Sequence, residues 1–134
     1  MAELRFKDLE VWRVSMDLVV KVYEITREFP KSEQFGLAAQ LQRSAVSIPS
    51  NIAEGSGRET RKDFAHFLDQ ARGSLFEVIT QLEICRSLNF GDLDKINAIQ
   101  MEYEILGMRI NALIRTMKDS RRIRKGDAED LQLR

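Results

Sequence analysis

Histidine, cysteine and tryptophan each occur once among the 134 residues, and proline only twice. The lone cysteine, Cys85, has no intramolecular disulfide partner, so no disulfide framework holds the fold. The lone histidine, His66, cannot supply the two Glu-x-x-His pairs with which carboxylate-rich bundles hold two metal ions. Nor is there an excess of either charge: Lys+Arg and Asp+Glu both total 21, unlike a strongly basic nucleic-acid binder. No apolar run approaches the roughly 20 residues that cross a bilayer, which excludes a transmembrane helix. The start, "MAELRFKDLEVW", has charges where a secretory leader needs an apolar stretch, so a cytoplasmic protein is expected.

What is present is helical periodicity. Over 8–29, Leu9, Trp12, Met16, Val19 and Tyr23 form one apolar stripe, and Val11, Leu18, Val22, Ile25 and Phe29 a second. Together they are wider than the face a surface helix of a small monomer buries, which predicts more than one neighbour. Pro30 ends this helix, because the residue before a proline is pushed out of helical geometry. Ser32 reads as the N-cap of a second helix, 33–54, with Gly55 and Gly57 marking its stop. Thr60 followed by Asp63 opens a third, 61–89, whose seam is Phe64, Leu68, Ala71, Leu75, Val78, Leu82 and Cys85. Asp92 caps a fourth, 93–119, with the seam Ile96, Ile99, Tyr103, Leu106, Ile110, Leu113 and Met117.

Four such helices joined by short connections predict an all-α, antiparallel up-down-up-down four-helix bundle over 1–120, with a mobile charged tail at 121–134. Surplus apolar residues recur: Phe67, Phe76 and Ile79 on the third helix, and Met101, Ile105, Met108 and Ile114 on the fourth. Self-association is therefore expected.

Convergent catalytic groups are scarce. His66 shares the polar side of its helix with Asp63, Asp69 and Gln70, and Cys85 occupies a seam position, which suits a solvated imidazole and a small buried hydrophobe. No enzyme, cofactor or metal site is expected. "GSGRETRK", 55–62, combines glycines, a helix start and Arg58, Arg61 and Lys62, so an anion is one reading. It lacks the G-x-x-x-x-G-K-[ST] spacing, and the alternative is a helix stop, a turn and a helix start. In the tail, Arg121, Arg122, Arg124 and Lys125 could meet RNA phosphates, although "DAED" follows directly.

Pro49 interrupts an otherwise helical pattern. It removes the N–H bond to the Ala45 carbonyl, at a cost of about 3 kcal/mol, and predicts a bend in the second helix. Ser47 and Ser50 can return hydroxyl bonds to the backbone, and the small residues around them let another helix approach. Asn51 could bridge to a neighbouring chain or pack within its own.

"FKDLEVWRVSMDLVVKVYEITREFP", "SEQFGLAAQLQRSAVSIPSNIAEGSGR" and "FAHFLDQARGSLFEVITQLEICRSL" resemble, in order and spacing, the 23S ribosomal RNA intervening-sequence proteins. The likeness covers about 4–118, and its most specific part is Gln40 to Arg58. It implies an antiparallel four-helix bundle assembled as a homopentamer, with no assigned catalytic residues and an older label as a ribosomal protein. Some members are encoded inside intervening sequences of 23S ribosomal RNA genes. More distantly, the chain resembles the accessory protein of diversity-generating retroelements, whose pentamer presents a basic surface to reverse transcriptase and RNA. The resemblance carries over Arg43, Pro49, Asn51, Glu54, Gly55, Gly57 and Arg58 as a structural motif, with Arg43 and Arg58 placed to meet an anionic partner. The resulting expectation is a non-enzymatic homo-oligomeric binding or scaffold protein with RNA as a candidate partner. The alternative is a protein–protein scaffold without nucleic-acid contact.

Overall fold

A computed structural model describes residues 2–119, so the tail at 121–134, with Arg121, Arg122, Arg124 and Lys125, lies outside the described residues. A 3-10 segment, Ala2–Asp8, leads into α1 (Glu10–Thr26). A short 3-10 turn, Lys31–Glu33, precedes α2 (Leu37–Ser56), followed by α3 (Arg61–Leu88) and α4 (Leu93–Lys118). The described residues are all-α, without a strand.

Each helix packs against two others: α1 and α3 both lie against α2 and α4. Side chains that cross these interfaces report direction. Glu10 pairs with Arg109, Lys21 with Glu102 and Glu28 with Lys95, so numbers rise on α1 as they fall on α4, as in antiparallel neighbours. Gln81 reaches Ser44 and Ser74 meets Ser47 between α3 and α2, while Arg72 reaches Asn111 and Arg86 reaches Asn97 between α3 and α4. Both sets run in the same opposed sense.

The two seams predicted on α3 and α4 are buried at every position named, from Phe64 to Cys85 and from Ile96 to Met117. Burying one leucine- or isoleucine-sized side chain is worth about 1.5–3 kcal/mol relative to leaving it in water, so these seams dominate the core. On α1 the two stripes part. Val11, Leu18, Val22, Ile25 and the following Phe29 are buried, whereas Met16 and Tyr23 remain exposed.

Helix ends explain the connections. The Thr60 hydroxyl accepts from Asp63 N at 3.1 Å, and Asp92 Oδ1 accepts from the amides of Asp94 and Lys95 at 2.9 and 3.2 Å. These bonds satisfy amides that a helix start leaves unpaired. Asn89 closes α3 in the left-handed region, φ 59°. Gly91 follows at φ +80°, a conformation that side chains rarely adopt.

The start of α2 differs from the expectation. Ser32 lies in the 3-10 turn, and the N-cap position is Gly36. Instead, Glu33 Oε1 accepts from Leu37 N at 3.2 Å, so a carboxylate reaching forward takes the part expected of the serine.

Candidate interaction surfaces

α2 passes through Pro49 as one helix to Ser56. Around the missing amide, Ser50 Oγ donates to Val46 O at 2.9 Å, and Asn51 Nδ2 donates to Ser47 O at 2.9 Å and to Ser47 Oγ at 3.0 Å. Ser47 Oγ in turn meets Ser74 Oγ on α3 at 2.8 Å, and Gln81 Nε2 donates to Ser44 Oγ at 3.1 Å. Asn51 therefore spends its amide within its own chain. The small polar residues join α2 to α3 with paired hydroxyls, where larger side chains would hold the helices apart.

Gly55 has a different role from the one its sequence position suggests. The helix continues past it, and a Cβ there would lie 2.6 Å from Phe67 Cβ and 3.0 Å from Phe64 Cδ1. It is a contact glycine, and the helix stops at Gly57. Glu54 pairs with Arg58 at 3.0 Å, and the Arg58 guanidinium lies 4.8 Å from the centre of the Phe67 ring. The motif residues thus lock the C-terminal end of α2 onto the first turns of α3.

The basic candidates do not converge. Arg43 is exposed beside a 310 Å³ groove between α2 and α3, where Glu77 and five hydroxyl- or amide-bearing side chains, including Ser44 and Gln81, share the lining. Arg58 is folded back over Phe67. Arg61 Nη2 donates to the Thr116 carbonyl on α4, while its buried Nε has no partner among the described residues. Arg61, Lys62, His66 and Lys118 line a separate 520 Å³ cavity that also contains Asp69. Elsewhere Lys21, Arg72, Arg86, Lys95 and Arg109 are engaged with carboxylates. "GSGRETRK" is thereby a helix end, a turn and a capped helix start.

His66 is exposed, 3.2 Å from Gln70 Nε2 and edge-on to Phe67. Cys85 is fully buried, and desolvation pushes its thiol up to about 11, away from nucleophilic thiolate chemistry. Glu83 is held below the ordinary carboxylate range by a hydrogen bond from Gln100, then by one from Arg86. Among the described residues no helix is long and apolar enough to cross a membrane.

The conspicuous surfaces are apolar. Between α1 and α2, Trp12, Met16, Val19, Val46, Pro49 and Ala53 line an open groove of 300 Å³. Further along the same side, a 470 Å³ cavity is lined by Tyr23, Phe35 and Ala39 together with Arg27 and Lys31. Phe35 is 89% exposed. On α4, directly opposite the buried seam, Ala98, Met101, Ile105, Met108 and Ala112 recur at spacings of three and four and are all exposed, Met101 by 63% and Met108 by 64%. Ile114, grouped with them by sequence, is buried instead. The spacing of the outer seam is readable in the sequence, but the same period also describes the core seam on the opposite face.

Comparison with known proteins gives a consistent likeness. A family model described as "23S rRNA-intervening sequence protein" matches residues 7–112. A solved structure of a protein of unknown function from the S23 ribosomal protein family, from Bacteroides thetaiotaomicron VPI-5482, superposes with a TM-score of 0.74. At 22% identity it covers 81% of this chain and 98% of its own length, a likeness of fold. No curated protein matches.

Proposed function

Because the chain belongs to the 23S rRNA-intervening sequence protein family, we propose that it acts as a non-enzymatic, homo-oligomeric helical-bundle scaffold. The observation that carries this reading is apolar surface on two separate elements of a bundle whose core is already closed: the α1–α2 groove and the outer seam of α4. Soluble monomers rarely leave contiguous apolar patches beyond a few hundred Å² in water. Covering one methionine- or valine-sized side chain gains about 1.5–3 kcal/mol, enough for several such contacts to offset the cost of association. Five copies is the number that the family resemblance implies. Cys85 is buried and its thiol is pushed up to about 11, and Lys21, Arg72, Arg86, Lys95 and Arg109 are each engaged with a carboxylate, which favours assembly over catalysis.

RNA contact is the second reading, and it is favoured by one cluster: Arg61, Lys62 and Lys118 lining a common cavity. One experiment addresses both. Size-exclusion chromatography with light scattering should return a multiple of the 15.5 kDa chain mass, and a monomer mass at micromolar concentration would refute self-association. Repeating the run with RNA at low salt should give co-elution that is lost steeply as salt rises, by counterion release. Absence of co-elution ends the RNA reading and leaves the scaffold intact.

A further inference from the structure

We propose that the cavity between the start of α3 and the end of α4 binds a phosphate monoester carried on an apolar ring, the chemistry of a nucleoside monophosphate or of the phosphorylated end of a nucleic-acid strand. This goes beyond the scaffold reading, and it narrows the RNA reading of the same cluster to a single phosphate group. The cavity has a volume of 520 Å³, within the range of about 300–1,000 Å³ typical of small-molecule sites and larger than a bare phosphate requires. Its lining divides by chemistry. Ala65 and Met117 are core residues, 2% and 8% exposed, and they form its apolar part. Lys62 and Lys118, one from each helix, line it with exposed side chains. A ligand that satisfies both parts has an apolar body and a charged head.

Charge selects the head group. Neither Lys62 nor Lys118 makes an ion pair among the described residues, and Arg61 is held by the Thr116 carbonyl, not by a carboxylate. Asp69, the one carboxylate in the lining, pairs with Arg72, which is not part of it. Arg61 Nε is buried without a hydrogen-bond partner among the described residues, so this wall also holds an unused donor. A phosphate monoester carries about −1.5 to −2 charges near neutral pH, which two free ammonium groups balance. A carboxylate or a backbone phosphodiester brings one charge and leaves an ammonium unmatched. Arg43 lies on the α2–α3 groove, Arg58 is folded over Phe67, and Lys21, Arg86, Lys95 and Arg109 have carboxylate partners. None of these extends the cavity into the basic track that a strand backbone follows.

Titration calorimetry of the full chain at low salt, with adenosine monophosphate as the probe, tests the site. Adenosine monophosphate should bind saturably at millimolar concentration or below, and about tenfold more tightly than cyclic adenosine monophosphate, a diester with the same ring and one charge. Adenosine should not bind measurably. Lys62→Gln/Lys118→Gln should weaken binding about tenfold or more. Lys7→Gln/Lys31→Gln, which removes two exposed cations elsewhere, should leave it unchanged, and far-UV circular dichroism checks that both variants fold. By NMR of labelled methionine methyls, the Met117 resonance should move more than those of Met101 and Met108. Absence of saturable binding, equal binding of the cyclic diester, equal weakening by the two variants, or a Met117 resonance that stays in place overturns the inference. A terminally phosphorylated oligonucleotide and its hydroxyl-ended twin identify the source of the phosphate. If the phosphorylated strand binds about as tightly as adenosine monophosphate and its twin does not, a strand end fills the cavity; if the mononucleotide alone binds, the ligand is a free small molecule. A chain that retains RNA but binds no adenosine monophosphate overturns the inference and keeps the RNA reading, and one that binds adenosine monophosphate but retains no RNA does the reverse.

Discussion

Gly55→Ala is the sharpest test of how α2 meets α3. An alanine Cβ would sit 2.6 Å from Phe67 Cβ and 3.0 Å from Phe64 Cδ1, against the 3.4–4 Å of ordinary contact. Neither neighbour is the free end of a flexible chain: Phe64 is buried, and Phe67 is held under the Arg58 guanidinium. Overpacking of this kind costs about 1–3 kcal/mol, and the better helix propensity of alanine returns about 0.5–1. The net expectation is a loss of about 1–2 kcal/mol, or roughly 4–8 °C in Tm for a chain this size. Gly73→Ala is the control, because a Cβ at that exposed position in α3 meets nothing within 4 Å. It should gain about 0.5–1 kcal/mol from propensity alone. Urea unfolding at one fixed protomer concentration measures both variants, since oligomerisation makes apparent stability depend on concentration. If Gly55→Ala is as stable as Gly73→Ala, the close approach of α2 and α3 is not what Gly55 provides, and the account of the motif fails.

Two further outcomes follow from the core. Tyr103 is fully buried and its hydroxyl has no hydrogen-bond partner among the described residues, so Tyr103→Phe should raise stability by about 1 kcal/mol in the same urea assay. A comparable loss would mean that the hydroxyl is bonded. Burial raises both the Cys85 thiol, from 9.0 to about 11, and the Tyr103 phenol, so the folded state keeps protons that the unfolded chain releases. The contribution of these two groups should therefore be flat below about pH 9 and fall as pH rises through 11; a rise over that window in a pH series of unfolding midpoints would contradict this.

The helices were legible because their seams repeat without a missed step, and burial follows that repeat from Phe64 to Cys85 and from Ile96 to Met117. Boundaries and contacts were less legible where one residue type serves two purposes. A glycine after an apolar run can stop a helix or admit a neighbour, and only the positions of Phe64 and Phe67 show that Gly55 does the second. Ser32 is a good cap in isolation, but Glu33 reaches the Leu37 amide, and the helix begins four residues later than expected. The basic residues Arg58, Arg61 and Lys62 are adjacent in sequence, which suggested a common site. The start of α3 turns Arg61 towards the Thr116 carbonyl while Arg58 folds back onto Phe67, a divergence set by tertiary neighbours.

Charge in this molecule does more for register than for stability. Exposed ion pairs contribute about 0–1 kcal/mol each, so the three between α1 and α4 add little to the folding free energy. Their order matters more. Glu10, Lys21 and Glu28 face Arg109, Glu102 and Lys95, so the sign alternates along each helix. Sliding α4 by one heptad would bring Glu102 opposite Glu10 and Lys95 opposite Lys21, like against like, although the apolar seam would still match itself. The seam alone tolerates that slip because it repeats every seven residues; the charges do not.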